Sequence, residues 1–568
     1  VLNLLSEPKI KGQDQEELAR FNKIAQNAES FALDNAGLVC LELLLSGAFS
    51  PVDRYLGQQD TARVINQMRL ESGELFPLPV NLEVPAKLAE RLSLGDVLAL
   101  RDPEGFLLAL VTVDETWEPD YKEEARMIWG LSNLEEHPLA RAYCQKKGLY
   151  RVAGPVQKVS LPTHHDFKFL RATPLEVRSF IEKRSWPRVI AYHSTYSLHK
   201  TEYEQTRRAA REVDAHILLH PVATMAQVGD LSHYARIRSY QEILKKYPQN
   251  MAALSLTPLE PWGAGPREAL WHALVRKNYG ATHMMIDKNH GEPPFHLWEG
   301  ASFYQDWKAM ELVSAHQEEL GVKPVALPEM AFSITHGKYL PVSQLKKEEM
   351  MPVLTPRQVR DRLETGLAIP EWYSFPEVLD ELKKAYPPRD QQGFTVFLTG
   401  LSGSGKSTLA KVLVSKFLEI GTRAVTLLDG DLVRRNLSSE LNFSKEHREI
   451  NVRRIGFVAS EITKNGGIAI CAPIAPYEQS RRHNRDLIGS LGGYIEVHVS
   501  TPLEVCEKRD PKGIYAKARA GLIKGFTGID DPYELPENSE LEIDFTEKTP
   551  EQGAERIMLY LAQEGYLG

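Results

Sequence analysis

Short apolar runs alternate with stretches of helical spacing over much of the chain. Residues 394–398 form a β-favouring apolar run. Leu409, Val412, Leu413 and Phe417 follow at helical intervals, and Gly421 supplies a stop. A second strand is expected at 424–428, and a second helical face carries Val452, Ile455, Ala459 and Ile462 up to Gly466. Strands at 468–472 and 494–499 complete the pattern. Such alternation predicts a parallel sheet covered on both faces, with ligands beyond the carboxyl ends of the strands. Runs at 188–192, 215–219 and 283–286 predict a second α/β region. Residues 1–165 instead mix strand-like runs, such as 106–113, with proline and glycine breaks, and 330–385 reads as a small mixed subdomain. The polar, proline-bearing stretch 386–393 is the expected domain junction. Neither an internal repeat nor a low-complexity tract is evident.

The chain has 568 residues, which suggests about three to five domains. Hydrophobic residues make up 42% and charged residues 25%, ordinary values for a globular protein. With a formal charge of -8, no global basic field attracts nucleic acid or an anionic membrane, so neither is an expected partner. An anionic substrate must meet a local cluster of Lys and Arg. Cys40, Cys144, Cys471 and Cys506 are far apart, without CxxC or zinc spacing, and read as reduced structural thiols of a cytoplasmic protein. The opening apolar residues are too few for a signal core, and no stretch approaches ~18 apolar residues.

Gly400-Leu401-Ser402-Gly403-Ser404-Gly405-Lys406-Ser407-Thr408 fits G-x-x-x-x-G-K-[ST] between a strand and a helix, the context this motif requires. The glycines Gly400, Gly403 and Gly405 let backbone N–H groups, including that of Ser402, face phosphates, and the helix start adds partial positive charge. Lys406 then reaches the β- and γ-phosphates of ATP, with Thr408 just behind it, and the Ser407 hydroxyl can hold Mg2+. Asp429-Gly430-Asp431 ends the second strand, where a carboxylate faces the phosphates and can take a proton from an attacking hydroxyl.

Leu428-Asp429-Gly430-Asp431-Leu432-Val433-Arg434 resembles the signature of adenylylsulfate kinases. Asn442-Phe443-Ser444, Arg448, Asn451-Val452-Arg453-Arg454-Ile455-Gly456, Pro473-Ile474-Ala475-Pro476-Tyr477, Cys506–Gly513 and Lys524–Asp530 follow in family order over 393–568. The resemblance implies that Phe443 and Phe526 sandwich the adenine of adenylyl sulfate. It places Arg434, Arg448, Arg453, Asn451, Ile474 and Lys512 on the same ligand, and makes Asp431 the base for its 3′-hydroxyl. Stacking and guanidinium forks suit a flat base and an anion. Residues 508–535, with Lys512, Lys517, Arg519 and Lys524, would be a lid. Ala475 stands where the family often has a serine, which excludes a phosphoenzyme at that position.

Over about 1–385 the chain resembles ATP sulfurylase. The blocks are Leu218-Leu219-His220-Pro221, Gly229-Asp230, Ala264–Ala269, Arg276–His283 and Ile369–Tyr373. The implied organisation is a PUA-like β domain (1–165), a nucleotidyltransferase-type α/β domain (166–330), a small subdomain and linker (331–390), and the P-loop kinase (391–568). The family pattern Q-T-R-N-P-x-H-R-x-H reads His193-Ser194-Thr195-Tyr196-Ser197-Leu198-His199-Lys200-Thr201-Glu202 here, and G-R-D-H reads Asp287-Lys288-Asn289-His290. His199 and His290 survive, but Thr195 replaces the arginine expected at sulfate and Glu202 the second histidine. Losing one transition-state cation costs ~3–5 kcal/mol, roughly 10²–10⁴ in rate. These four positions are therefore expected to be a vestigial sulfurylase site.

The expectation is an ATP- and Mg2+-dependent adenylylsulfate kinase, as a homo-oligomer, with a non-catalytic sulfurylase-like domain. A bifunctional sulfate-activating enzyme is the alternative. A third reading, a nucleotide-binding regulator without turnover, would require loss at Lys406, Ser407, Asp431 or the arginines, and all are present.

Overall fold

The computed structural model describes residues 15–223, 231–294, 297–298, 300–442 and 444–567. Phe443, Gly229 and Asp230 lie outside the described residues. The chain divides into two compact units, one comprising residues up to Val359 with Ile369–Ala385, the other Arg360–Ala368 with Tyr386 onward.

In the first unit, residues up to Lys158 build a seven-stranded sheet around the long strand Leu149–Lys158, which pairs antiparallel with four other strands. Leu107–Thr112 is one of these, close to the expected 106–113. A five-stranded parallel sheet follows, in the order Ala252–Leu254, His216–Leu219, Val189–Tyr192, His283–Ile286, Lys323–Ala326. Val189–Tyr192 and His283–Ile286 are buried at every position, as a sheet covered on both faces requires. The helix Pro266–Asn278 is buried over nine successive residues, Glu268–Arg276, so polar side chains on it are drawn into the interior.

The second unit holds another all-parallel five-stranded sheet. Its order is Val425–Asp429, Ile468–Ala472, Phe394–Thr399, Gly493–Val499, Leu541–Ile543. The central strand Phe394–Thr399 is wholly buried. The helix Lys406–Ile420 packs Leu409, Ala410, Leu413 and Phe417 against that sheet and ends at Gly421, whose φ of 69° is the left-handed cap that glycine adopts without strain. The long helix Lys445–Lys464 covers the other face with Val452, Ile455 and Ala459, starting from a Ser444 side-chain cap. No helix among the described residues is long and apolar enough to cross a membrane.

Candidate functional site

The carboxyl ends of Phe394–Thr399 and Val425–Asp429 open onto a cavity of about 510 Å³ in the second unit. Gly400 has φ 151°, and a Cβ there would lie 2.4 Å from the Val499 carbonyl oxygen, so only glycine lets the loop leave the strand. The chain then curls into the helix at Lys406. Lys406 is 6% exposed, and its ammonium donates to the carbonyls of Gly400 at 2.9 Å and Leu401 at 2.7 Å. Burial pushes its pKa down to about 8, opposed by Asp429 and Cys506 nearby. The amine is thus held on its own loop.

Ser407 Oγ donates to Asp429 Oδ2 at 2.8 Å. The other oxygen of Asp429 accepts the Asp431 N–H at 3.0 Å, so Asp429 caps the helix Gly430–Asn436. The Asp-Gly-Asp segment therefore starts a helix rather than forming a turn, and this start presents Asp431 to the cavity. Asp431 is more than half exposed, and Lys512 Nζ meets its Oδ2 at 2.5 Å. Arg448 is nearly buried and pairs with Thr527 Oγ1 at 2.6 Å and with Asp531 at 3.0 Å. Asn451 is 4% exposed, and its Oδ1 has no hydrogen-bond partner among the described residues. An unsatisfied buried amide oxygen in a cavity wall fits a ligand donor.

Ser402, Gly403, Gly405, Lys406, Ser407, Thr408, Asp431, Arg434, Arg448, Asn451, Ile474, Lys512 and Phe526 all line this one cavity. Gly400 sits behind the loop, outside the lining. Arg453 is exposed on its helix and is not part of the cavity wall. Two participants carry no local sequence signal. Thr527 binds Arg448. Tyr515 donates its hydroxyl to the Ser402 carbonyl at 2.8 Å and meets Phe526 edge to face at 5.0 Å.

In the first unit, the strand ends at Tyr192 and Ile286 border a cavity of about 390 Å³. Thr195 and His290 line it; His199 and Glu202 do not. His199 is 8% exposed, its Nδ1 pairs with Ser374 Oγ at 2.8 Å, and burial pushes its pKa down to about 4. The Glu202 carboxylate accepts the His199 N–H at 2.8 Å and completes a capping box for the helix Lys200–Glu212. The four positions expected together as a vestigial site are thus divided. Two face the cavity and two close a helix end, because the glutamate three residues into the helix is used by the backbone.

Of the group that dominates this cavity, sequence reading named only His290 as a site residue. His193 Nδ1 accepts from the fully buried Arg276 at 2.7 Å, and its ring lies 4.1 Å from that of His272. His272 Nδ1 pairs with His290 Nε2 at 3.0 Å. Burial holds His193 and His272 well below the usual histidine range and lowers His290 as well. Glu268, 3.4 Å from His272, is raised by burial to about 7 against the pull of three backbone N–H groups.

Comparison with known proteins places both units. The PUA-like domain model matches residues 9–161, the ATP-sulfurylase model 168–385, and the adenylylsulphate kinase model 392–544. A sulfate adenylyltransferase of Phaeosphaeria nodorum is 40% identical over 546 residues, covering 96% of this chain and 95% of that protein. One of Aspergillus oryzae is 41% identical over 553 residues, covering 96% of each. The structure titled "Hexameric APS kinase from Thiobacillus denitrificans" superposes with a TM-score of 0.80 at 37% identity, over 98% of this chain and 97% of that one. The chain accordingly belongs to the family in which a PUA-like domain and an ATP-sulfurylase domain are joined to a C-terminal adenylylsulfate kinase domain.

Proposed function

We propose that the chain transfers the γ-phosphoryl group of ATP to the 3′-hydroxyl of adenylyl sulfate, and that its sulfurylase domain does not turn over. The observation that carries the kinase reading is a single cavity joining a P-loop lysine and serine to Asp431, two arginines, an unsatisfied Asn451 oxygen and Phe526. The loop N–H groups and the helix start hold the triphosphate, and Lys406 leaves its carbonyl partners for the β- and γ-phosphates. Phe526 stacks on the adenine of adenylyl sulfate, while Arg434, Arg448 and Asn451 hold its anionic part. Asp431 takes the 3′-hydroxyl proton as the new O–P bond forms and the γ–β bridge breaks, with ADP as leaving group. Lys512, beside Asp431, neutralises charge on the moving phosphoryl group.

Magnesium fits this site. Ser407 and Asp429 offer a hydroxyl and a carboxylate, hard oxygen donors 2.8 Å apart. No group of three or more His, Cys, Asp or Glu suited to a metal occurs among the described residues. Bound there, magnesium would neutralise charge between the β- and γ-phosphates.

Loss of sulfurylase turnover is supported by Thr195 at the position of a sulfate-binding arginine and by Glu202 engaged in a helix cap. The full-length neighbour bearing both regions is titled as an APS kinase, and as hexameric, which also supports a homo-oligomer. The bifunctional reading is favoured by the relatives named sulfate adenylyltransferase. Two assays separate these readings. Full-length protein given ATP, magnesium and adenylyl sulfate should release ADP; no release would overturn the kinase reading. Given ATP and sulfate with pyrophosphatase, it should yield no phosphate above background. Steady turnover there would establish the bifunctional enzyme and leave the kinase reading standing.

A further inference from the structure

The loop after strand Ile468–Ala472 carries a backbone that alanine rarely adopts. Ala475 has φ 48°, in the left-handed region, is 1% exposed and lines the cavity of the second unit. A Cβ crowds the following carbonyl oxygen there, so a residue other than glycine keeps this conformation only where its neighbours impose it. Here three successive carbonyls are fastened. The Ile474 carbonyl accepts the Thr399 hydroxyl at 2.8 Å and the Gly400 N–H at 3.3 Å. The Ala475 carbonyl accepts from Arg481 Nη1 at 2.8 Å and from Thr399 Oγ1 at 3.2 Å. The Pro476 carbonyl accepts the Glu534 N–H at 2.9 Å.

Arg481 is wholly buried and lies outside the described lining, as does Thr399. Its Nη2 donates to the Glu534 carbonyl at 2.8 Å and to Glu478 Oε2 at 2.6 Å, and its Nε lies 3.3 Å from Glu496 Oε1. The charge is thus met by Glu478 and Glu496, and the link from Arg481 to the cavity wall runs through the Ala475 carbonyl. Thr399 ends the central strand. Its hydroxyl gives its proton to the carbonyls and so accepts from the Tyr533 hydroxyl, at 2.8 Å. Pro473, Ile474, Ala475 and Pro476 all line the cavity, so the turn these two side chains hold is one of its walls.

We propose that Arg481 and Thr399 are positioning residues for adenylyl sulfate. They hold the 473–476 turn in its left-handed form, which sets the apolar wall where Ile474 meets that ligand. Without them the alanine relaxes toward right-handed or extended backbone, and the wall moves. Lys406 and Ser407 keep their own contacts, so ATP binding is spared. The inference rests on the kinase reading and adds to it two residues outside the cavity lining.

The test is steady-state kinetics on the full-length chain, with ADP release as the readout. Thr399→Val keeps the side-chain shape and removes the hydroxyl. Arg481→Lys keeps the charge and loses the planar fork that serves the Ala475 and Glu534 carbonyls together. Each should raise the KM for adenylyl sulfate about fivefold or more and leave the KM for ATP within about twofold. The deciding measurement repeats both substitutions beside Ala475→Gly, since glycine adopts this φ without strain. In that background each should cost less than about twofold, because the turn no longer needs holding. Equal losses in both backgrounds, a KM for ATP that rises in step, or an unchanged KM for adenylyl sulfate in Thr399→Val overturns the proposal. Thr399→Val carries the test alone where Arg481→Lys misfolds. Failure of the kinase reading is distinct, because the unaltered chain would then release no ADP.

Discussion

The Tyr515 hydroxyl donates to the carbonyl of Ser402 at 2.8 Å and so ties the 511–527 segment to the phosphate loop. The same ring stands edge-on to Phe526, with centroids 5.0 Å apart and planes at 82°. One side chain therefore touches the loop that holds ATP and the ring proposed to stack on adenylyl sulfate. Tyr515→Phe removes one neutral hydrogen bond, about 1 kcal/mol, and should raise the KM for ATP roughly fivefold with little change for adenylyl sulfate. Tyr515→Leu also removes the ring contact, about 0.5–1.5 kcal/mol, and should raise the KM for adenylyl sulfate as well. Steady-state kinetics on both substrates check this. Unchanged KM values in the leucine variant would show that Tyr515 positions neither element.

Lys406 gives a pH-dependent prediction. In the ligand-free loop, burial lowers its pKa to about 8, so near pH 8 half the ammonium groups are deprotonated. Phosphates placed against it favour the charged form, so ATP binding must take up protons there. Calorimetry at pH 8 in buffers of different ionisation enthalpy should show uptake of up to about half a proton per site, and affinity should fall as pH rises further. Lys406→Ala should abolish both the uptake and formation of 3′-phosphoadenylyl sulfate. Proton release, or uptake that survives the alanine variant, would contradict the position of this amine.

What could be read in advance was local or fully buried. The strand–loop–helix from Phe394 to Ile420 announces itself, because every requirement falls within a few residues: an apolar run, glycines at the turn, helical spacing behind. The strands Ile468–Ala472 and His283–Ile286 match the expected runs, and every position in both is buried. Arg448 and Asn451 entered by resemblance alone. Arg453, two residues from Asn451, points elsewhere because successive helical positions are rotated by about 100°. At His199-Lys200-Thr201-Glu202, comparison with a family pattern hid a simpler local rule, since a glutamate at the third helical position closes a capping box. His193, His272 and His290 come from three distant segments, and only the fold brings them together.

Asp431→Asn separates catalysis from structure. The Asp431–Lys512 pair is exposed by more than half on both sides, so its loss costs at most about 1 kcal/mol of stability. The amide keeps the shape of the carboxylate but cannot take a proton. A general base contributes about 10²–10⁴ in rate, so kcat should fall by that range while both KM values and the melting temperature hold. Turnover near that of the unaltered enzyme would remove Asp431 from the role of base.

The buried histidines make the first unit acid-sensitive. Burial holds His193, His199, His220, His272 and His290 below the ordinary histidine range. Unfolded, each takes a proton near pH 6.5; folded, each resists it until a lower pH. The unfolded chain therefore binds more protons below pH 6.5, and stability falls as pH drops through that point toward the folded values. Each neutral imidazole contributes a slope of up to ~1.4 kcal/mol per pH unit; the buried carboxyls of Glu202, Glu260 and Glu268, raised by burial, act with the opposite sign, and the five imidazoles outnumber them. Thermal unfolding followed from pH 7.5 to 5 should show the transition of this unit falling below pH 6.5. His272→Gln, which cannot protonate, should flatten the fall. A transition that stays level over this range would mean that these rings are already charged or exposed in the folded protein.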